Sequence, residues 1–351
     1  MRASPLCLVA LVVATALTSF YLLSPRGRTH ALRPAGASGA PDVPIHALLG
    51  SCVRLATAGG QLVLAVAASG ELLEEQKGPR AHAAAPADYV TAADRLSHAR
   101  IVRGLAAAWP RLTVRSEEDG GDAGMDIGIG EAVDDGGGES AGSGGAAVLA
   151  GIDASDEALP AGSLVAWVDP LDATHEFTEG LLEYVTVMVC IAHSGRPLAG
   201  VVVQPAMNRS AWGWVGHGVH VGRAAWVPPP PRAGRGPRVI VSRLHAGGGT
   251  DAIASALGAS EVTQAGGAGF KVLALLDGAA DVYFHEVRRS VGFARVCARV
   301  CARACVRVRA CVRVRARVRA NAFARATVRA RATVRGSSGH GVPRRGARRA
   351  D

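Results

Sequence analysis

Residues 168–179 read Val168-Asp169-Pro170-Leu171-Asp172-Ala173-Thr174-His175-Glu176-Phe177-Thr178-Glu179, setting two carboxylates three positions apart around a proline. Val165, Trp167 and Val168 read as a short apolar strand leading into them. Pro170 has no amide hydrogen to continue a ladder, so the chain is expected to turn there with both acids on its inner side. Such oxygen ligands suit a hard cation of the Mg²⁺ type, which keeps positions open for water and a substrate phosphate. Taken alone, the same residues read equally well as a strand ending in an Asp-Pro turn with a Thr cap. The rest of the chain decides between the two.

Of the 39 lysines and arginines, nineteen arginines lie between Arg288 and Arg349, leaving 20 basic residues over 1–287. Of the 29 acids only Asp351 falls in 288–351, leaving 28, so residues 1–287 carry a net charge of −8. An acidic body argues against a nucleic-acid partner, which needs clustered cations to replace phosphate counterions. It allows a small phosphorylated substrate held through metal ions. Length and apolar content suffice for a compact body with its own core. Outside the tail the cysteines are Cys7, Cys52 and Cys190, too few to read a disulfide framework.

Leu6 to Leu23 carries no charge and is bounded by Arg2, Arg26 and Arg28. Its length is near that of a bilayer span, and residues 1–25 are read as an N-terminal membrane anchor. The competing reading, a cleaved signal peptide, fits less well because Tyr21-Leu22-Leu23 offers no small-residue cleavage site. Arg26, Arg28 and Arg33 follow the span and, by charge alone, favour a cytoplasmic body.

Residues 26–44 read as a stalk, followed by a globular domain over 45–287. Ile45 to Glu75 carries helical apolar spacing, with Gly59-Gly60 as an expected interruption. Tyr89 to Trp109 is expected to hold a second helix entered through Thr91 and Asp94, and Arg111 to Val114 a strand delivering Glu117 and Glu118. Residues 120–162, dominated by Gly, Ala, Asp and Ser, read as a flexible insertion. Strand-like runs return at Tyr184–His193, Ala199–Val203 and Ala211–Val215, with turns at Gly195 and Pro205, which places the domain in the α/β or α+β class.

From Arg288 to Asp351 the vocabulary contracts to Arg, Val, Ala and Cys in dipeptide alternation. Those residues share codons that reading frames through a GTGCGC repeat would supply, and the tail is read as a translated repeat from a wrong gene boundary. A basic nucleic-acid-binding arm and an edge strand with Val inside and Arg outside are the rival readings.

The order Asp94, Glu117-Glu118, Asp169-Pro170-Leu171-Asp172-Ala173-Thr174 and Gly266-Gly267-Ala268-Gly269-Phe270-Lys271 resembles the lithium-sensitive, Mg²⁺-dependent phosphatases of the inositol monophosphatase superfamily. Ala173, the following His175 to Glu179 and the apolar N-terminus resemble most its Golgi-anchored branch, which acts on adenosine 3′,5′-bisphosphate. The resemblance implies an α/β fold of layered αβαβα sugar-phosphatase type and a lumenal, single-pass type II arrangement. It makes Glu117, Asp169, the Leu171 carbonyl and Asp172 ligands of two or three Mg²⁺ ions, whose bound water attacks the phosphate in line. Thr174 and Asp94 become a relay that orients this water and drains its proton. Ser242 and His245, in Ser242-Arg243-Leu244-His245, together with Gly267 and Lys271, become substrate contacts.

Blander readings stand beside these. Glu117-Glu118 alone is a solvated acidic loop, Asp94 a helix cap, His245 a surface residue and Lys271 a solvated side chain after a cap. The family's Trp-Asp-x-Cys-Ala segment, with a further metal-binding aspartate, is absent after His285, where the chain runs Glu286-Val287-Arg288-Arg289. The fold is therefore expected to lack its closing segment, and the chain to be a weak or inactive enzyme as written. An inositol phosphate phosphatase and a non-catalytic membrane protein are the alternative functions, and a homodimer is allowed.

Overall fold

The structure, a computed structural model, describes residues 42–76, 89–118, 149, 157–230, 236–243 and 249–284. The anchor 1–25, nearly all of the stalk, most of the insertion 120–162, His245 and the tail 288–351 lie outside the described residues.

The chain opens with strand β1 (Asp42–Pro44) and the long helix α1 (Ile45–Ser69), then β2 (Glu75–Gln76), β3 (Tyr89–Val90), α2 (Ala92–Ala108) and β4 (Thr113–Ser116). After the undescribed stretch come β5 (Ala158–Pro160), β6 (Leu164–Asp172) and the short α3 (Thr174–Thr178). A meander follows: β7 (Thr186–His193), β8 (Arg196–Gln204), β9 (Arg209–Trp214), β10 (Gly218–Val221) and β11 (Ala224–Ala225). The last part is β12 (Arg238–Ser242), α4 (Gly249–Leu257), β13 (Glu261–Ala265), α5 (Ala268–Leu276) and β14 (Val282–Phe284).

Seven strands form the main sheet in the order β11-β10-β9-β8-β7-β6-β4, antiparallel except where β4 runs parallel to β6. A parallel three-stranded sheet, β13-β12-β14, forms a separate layer. The main sheet is covered on both faces, which is why β7 reads as a near-continuous apolar run. On one side α1 and α2 bury Leu48, Leu49, Ile101 and Leu105 against Val187, Val189, Ile191 and Val201. On the other, Leu273 and Leu276 of α5 meet Met188, Cys190 and Val202. The opposite flank of α5 packs Ala274, Phe270 and Leu275 on Ile240 and Ala265 of the small sheet. The succession α–β–α–β is the layered α/β architecture expected of a sugar phosphatase.

Several expectations are corrected. Gly59-Gly60 does not interrupt α1, which runs unbroken from Ile45 to its Gly70 C-cap, at φ 73°. Both glycines are instead contact points: a Cβ on Gly59 would lie 2.6 Å from Ser97 Oγ, and one on Gly60 would lie 2.7 Å from Pro205 Cγ. The helix propensity forgone is repaid by close approach of α1 to α2 and to the end of β8. Pro170 does not end β6 either, because the strand accommodates it within a register shift between Asp169 and Asp172, where no ladder amide is needed. The turn falls at Ala173, at φ 74°. Asp42–Pro44, given to the stalk, and Ala158–Pro160, given to the insertion, pair with each other as β1 and β5.

Among the described residues one helix, α1, is long and apolar enough to cross a membrane, but half of its apolar window is buried inside the domain. It is the core helix. Cys52 and Cys190 are buried free thiols, each pushed up to about 12 by burial, and so are inert packing residues.

Candidate active site

Glu117, Asp169, Asp172, Asp94 and Thr174 lie at one end of the main sheet, where β4 and β6 run out side by side. Ser116 pairs with Val168, and the Glu117 amide donates to the Val168 carbonyl at 3.0 Å. This parallel pairing brings the backbones of Glu117 and Asp169 to neighbouring positions. Asp169 is only 6% exposed, a costly place for a carboxylate unless positive charge compensates it.

Helix α2 approaches the same end. Thr91 caps it in a reciprocal box with Asp94: the Thr91 amide and hydroxyl both donate to Asp94 Oδ2, at 2.7 and 2.6 Å, and the Asp94 amide donates to Thr91 Oγ1 at 3.4 Å. Asp94 Oδ1 is left facing Thr174, whose hydroxyl lies 3.4 Å from it and 3.2 Å from the Leu171 carbonyl. With one proton, that hydroxyl donates to one of the two at a time. Asp94 is therefore both the helix-capping residue and the partner of Thr174. One turn on, Ser97 Oγ donates to the Pro170 carbonyl at 2.8 Å, and His98 Nδ1 lies 2.8 Å from Ser116 Oγ.

Asp172 faces the second half of the molecule. Its Oδ2 accepts from Thr186 Oγ1 at 3.0 Å and from the Gly269 amide, in the first turn of α5, at 2.7 Å. Gly267 caps α5 at φ 57°, and a Cβ there would stand 2.7 Å from the Tyr184 carbonyl and 3.0 Å from Asp172 Oδ2. Close backbone approach, expected for Gly267, is thus present, and its neighbour is the Asp172 carboxylate.

Lys271 is not the solvated side chain of the blander reading. It is 3% exposed, its ammonium donates to the carbonyls of Ala265 at 3.1 Å and Gly266 at 3.0 Å, and it lies 5.5 Å from the Tyr283 ring centroid. Burial pulls this lysine down to about 8, with Asp172 and Glu176 opposing the fall. It is a buried clamp on the glycine loop, neither solvated nor turned outward as a bare point charge. Ser242 closes β12 at its C-terminal end. Arg243 next to it bridges to α3, pairing with Glu179 and standing 3.9 Å from Glu176 Oε1.

Among the described residues, no three His, Cys, Asp or Glu side chains are gathered closely enough to hold an ion. Asp172 Oδ2 is engaged by Thr186 and Gly269, contacts across layers that no local pattern announces. The donor set still fits a hard divalent cation, since it consists of Glu117, a buried Asp169, a carbonyl at Leu171 and Asp172 at one sheet end. An ion there would have to draw them together.

Sequence reading missed Ser97, His98, Thr186, Glu176 and Arg243. Asp94, Ser97 and His98 stand at i, i+3 and i+4, one face of a helix, and that spacing was the available signal. Thr186 and Glu176 carried none, because their partners come from distant elements.

Comparison with known proteins gives the family. The profile of the inositol monophosphatase family matches residues 47–291. An inositol monophosphatase 3 from Danio rerio is 34% identical over 250 residues, covering 69% of this chain and 68% of its own. The Golgi-resident adenosine 3′,5′-bisphosphate 3′-phosphatase of Homo sapiens is 34% identical over 262 residues, covering 72% and 67%. Among solved structures, the extragenic suppressor protein suhB from Bartonella henselae superposes with a TM-score of 0.51 at 19% identity, covering 69% of this chain and 79% of that one, a likeness of fold. The chain belongs to the inositol monophosphatase family, whose enzymes are metal-dependent phosphatases, typically using Mg²⁺.

Proposed function

We propose that the chain removes the 3′-phosphate of adenosine 3′,5′-bisphosphate, giving AMP and inorganic phosphate, with residues 6–23 anchoring it in the Golgi membrane and its domain in the lumen. The observation that carries the reading is the Thr174 hydroxyl, placed between Asp94 Oδ1 and the Leu171 carbonyl beside the acidic sheet end. Glu117, Asp169, the Leu171 carbonyl and Asp172 would hold the two or three Mg²⁺ ions, which when bound supply charge neutralisation and a more acidic water. Thr174 is too weak a base to act alone, so its part is to accept a hydrogen bond from the attacking water and pass its own proton to Asp94 Oδ1. Asp94 is fixed for this because Thr91 occupies its other oxygen twice. Ser242 and His245 contact the adenosine phosphate portion, and Gly267 offers its backbone. Lys271 shapes that loop from below, through the carbonyls of Ala265 and Gly266.

Hydrolysis of inositol phosphates is the second reading, favoured by the Danio rerio relative at equal identity. Phosphate release, in detergent with saturating Mg²⁺, is measured on adenosine 3′,5′-bisphosphate and on inositol monophosphate for the full chain and for a version whose residues after His285 are replaced by a family C-terminus carrying the Trp-Asp-x-Cys-Ala segment. A higher kcat/KM on the nucleotide is expected. A higher value on the inositol ester overturns the substrate, and release on neither overturns the activity.

A further inference from the structure

The segment Pro170-Leu171 lies where both neighbouring strands have stopped supporting it. On one side β4 ends with Ser116 opposite Val168. On the other, the pairing of β6 with β7 steps from Asp169–Met188 to Asp172–Thr186, so Pro170 and Leu171 have no register partner between. Pro170 also brings no amide hydrogen. What replaces the ladder is a pair of hydroxyls: Ser97 Oγ on the Pro170 carbonyl at 2.8 Å and Thr174 Oγ1 on the Leu171 carbonyl at 3.2 Å. The two successive carbonyls between Asp169 and Asp172 are each held by one side chain.

We infer that Ser97 is a positioning residue for the reaction, a hydroxyl on α2 that fixes the Pro170–Leu171 peptide and with it the spacing of Asp169 and Asp172. This rests on the metal-dependent reading of the site given above. Ser97 is fully buried, although Leu96 and His98 beside it are only half-buried, and its hydroxyl donates to the Pro170 carbonyl. The room it occupies is kept by Gly59, where a Cβ would fall 2.6 Å from Ser97 Oγ and 3.0 Å from Ile101 Cδ1. The same helix face carries Asp94 one turn earlier, so the residue that receives the proton and the residue that sets the ligand loop share one rigid element. A hydroxyl that orients ligand-bearing backbone acts on metal affinity without touching the metal.

The test compares the full chain with Ser97→Ala and Ser97→Cys, the latter keeping the volume while weakening the donor. Mg²⁺ binding is read by calorimetry, Tb³⁺ binding by luminescence, and folding by thermal melting. Both variants are expected to bind metal about tenfold more weakly, with Ser97→Cys melting close to the parent. Parental metal binding in a folded Ser97→Cys overturns the inference while leaving the proposed function standing. Unfolding of both variants assigns Ser97 to the scaffold and also overturns it. A parent chain that binds neither ion overturns the metal-dependent reading and this inference together.

Discussion

Gly269→Ala sets two effects against each other, and the structure decides which wins. Gly269 lies in the first turn of α5, and replacing a helical glycine by alanine gains up to about 1 kcal/mol of helix propensity. Here the new Cβ would fall 2.1 Å from Thr186 Oγ1, 2.9 Å from Thr186 Cβ and 3.0 Å from Met188 Sδ. Thr186 and Met188 belong to the middle of the main sheet and are both fully buried, so neither can step aside cheaply. Overpacking of this kind costs roughly 1–3 kcal/mol. Turning Thr186 away also sacrifices its hydrogen bond to Asp172, worth about 1.5–3 kcal/mol for a charged acceptor. The net expectation is a loss of about 2–4 kcal/mol, a fall of roughly 5–15 °C in melting temperature for a domain of this size. The assay is thermal unfolding of the full chain beside Gly269→Ala and the double variant Gly269→Ala/Thr186→Ala, which removes the obstructing hydroxyl and should recover part of the loss. A single variant melting at or above the parent would refute the reasoning, because it would show that α5 has slack against the sheet.

Thr174→Val keeps the shape of the side chain and removes the relay, so kcat should fall by about 10²–10⁴ with little change in melting, checked by phosphate release at saturating Mg²⁺. Lys271 is lowered to about 8 in the folded domain from an ordinary 10.5, so the folded state releases this proton first. Its burial penalty is fully present below pH 8 and is relieved as pH rises from about 8 towards 10.5, by up to about 3 kcal/mol. Denaturant unfolding should therefore show stability rising across that window in the parent and not in Lys271→Met. Tyr283, raised by burial and by Asp172, acts in the opposite sense at higher pH, so the difference between the two proteins is the quantity to read. Ala173→Gly relieves a left-handed backbone at φ 74° and should stabilise by about 1 kcal/mol, seen as a small rise in melting temperature; a fall would mean that the alanine methyl packs usefully.

Much of the site's composition was legible because its parts lie on local patterns. A strand leading into Asp169, a cap at Thr91-Asp94 and a glycine-rich entry to α5 each show in a few neighbouring residues. What was not legible depended on contacts between distant elements. Gly59-Gly60 looks like a helix break until Ser97 and Pro205 are seen to need the space. Lys271 looks like a surface cation until the carbonyls of Ala265 and Gly266 turn back onto it. Asp172 looks like a free ligand until Thr186 and Gly269 claim one of its oxygens. In each case local chemistry named the residue, and the packing of layers chose its partner.

Helix α1 has a further consequence for how the chain is made. By length and composition it is apolar enough to cross a membrane, although half of that stretch is buried inside the domain. Should the bilayer take it, the domain would lose the helix that carries Leu48, Leu49 and Val63 into its core, and everything downstream would emerge on the opposite side. Arg54 stands against that outcome. It is exposed on the folded domain and lies well inside the helix, where a charge weighs roughly 2.5–3.5 kcal/mol against entering lipid. A charge at this position therefore weighs against entry of α1 into lipid and in favour of its place in the folded core.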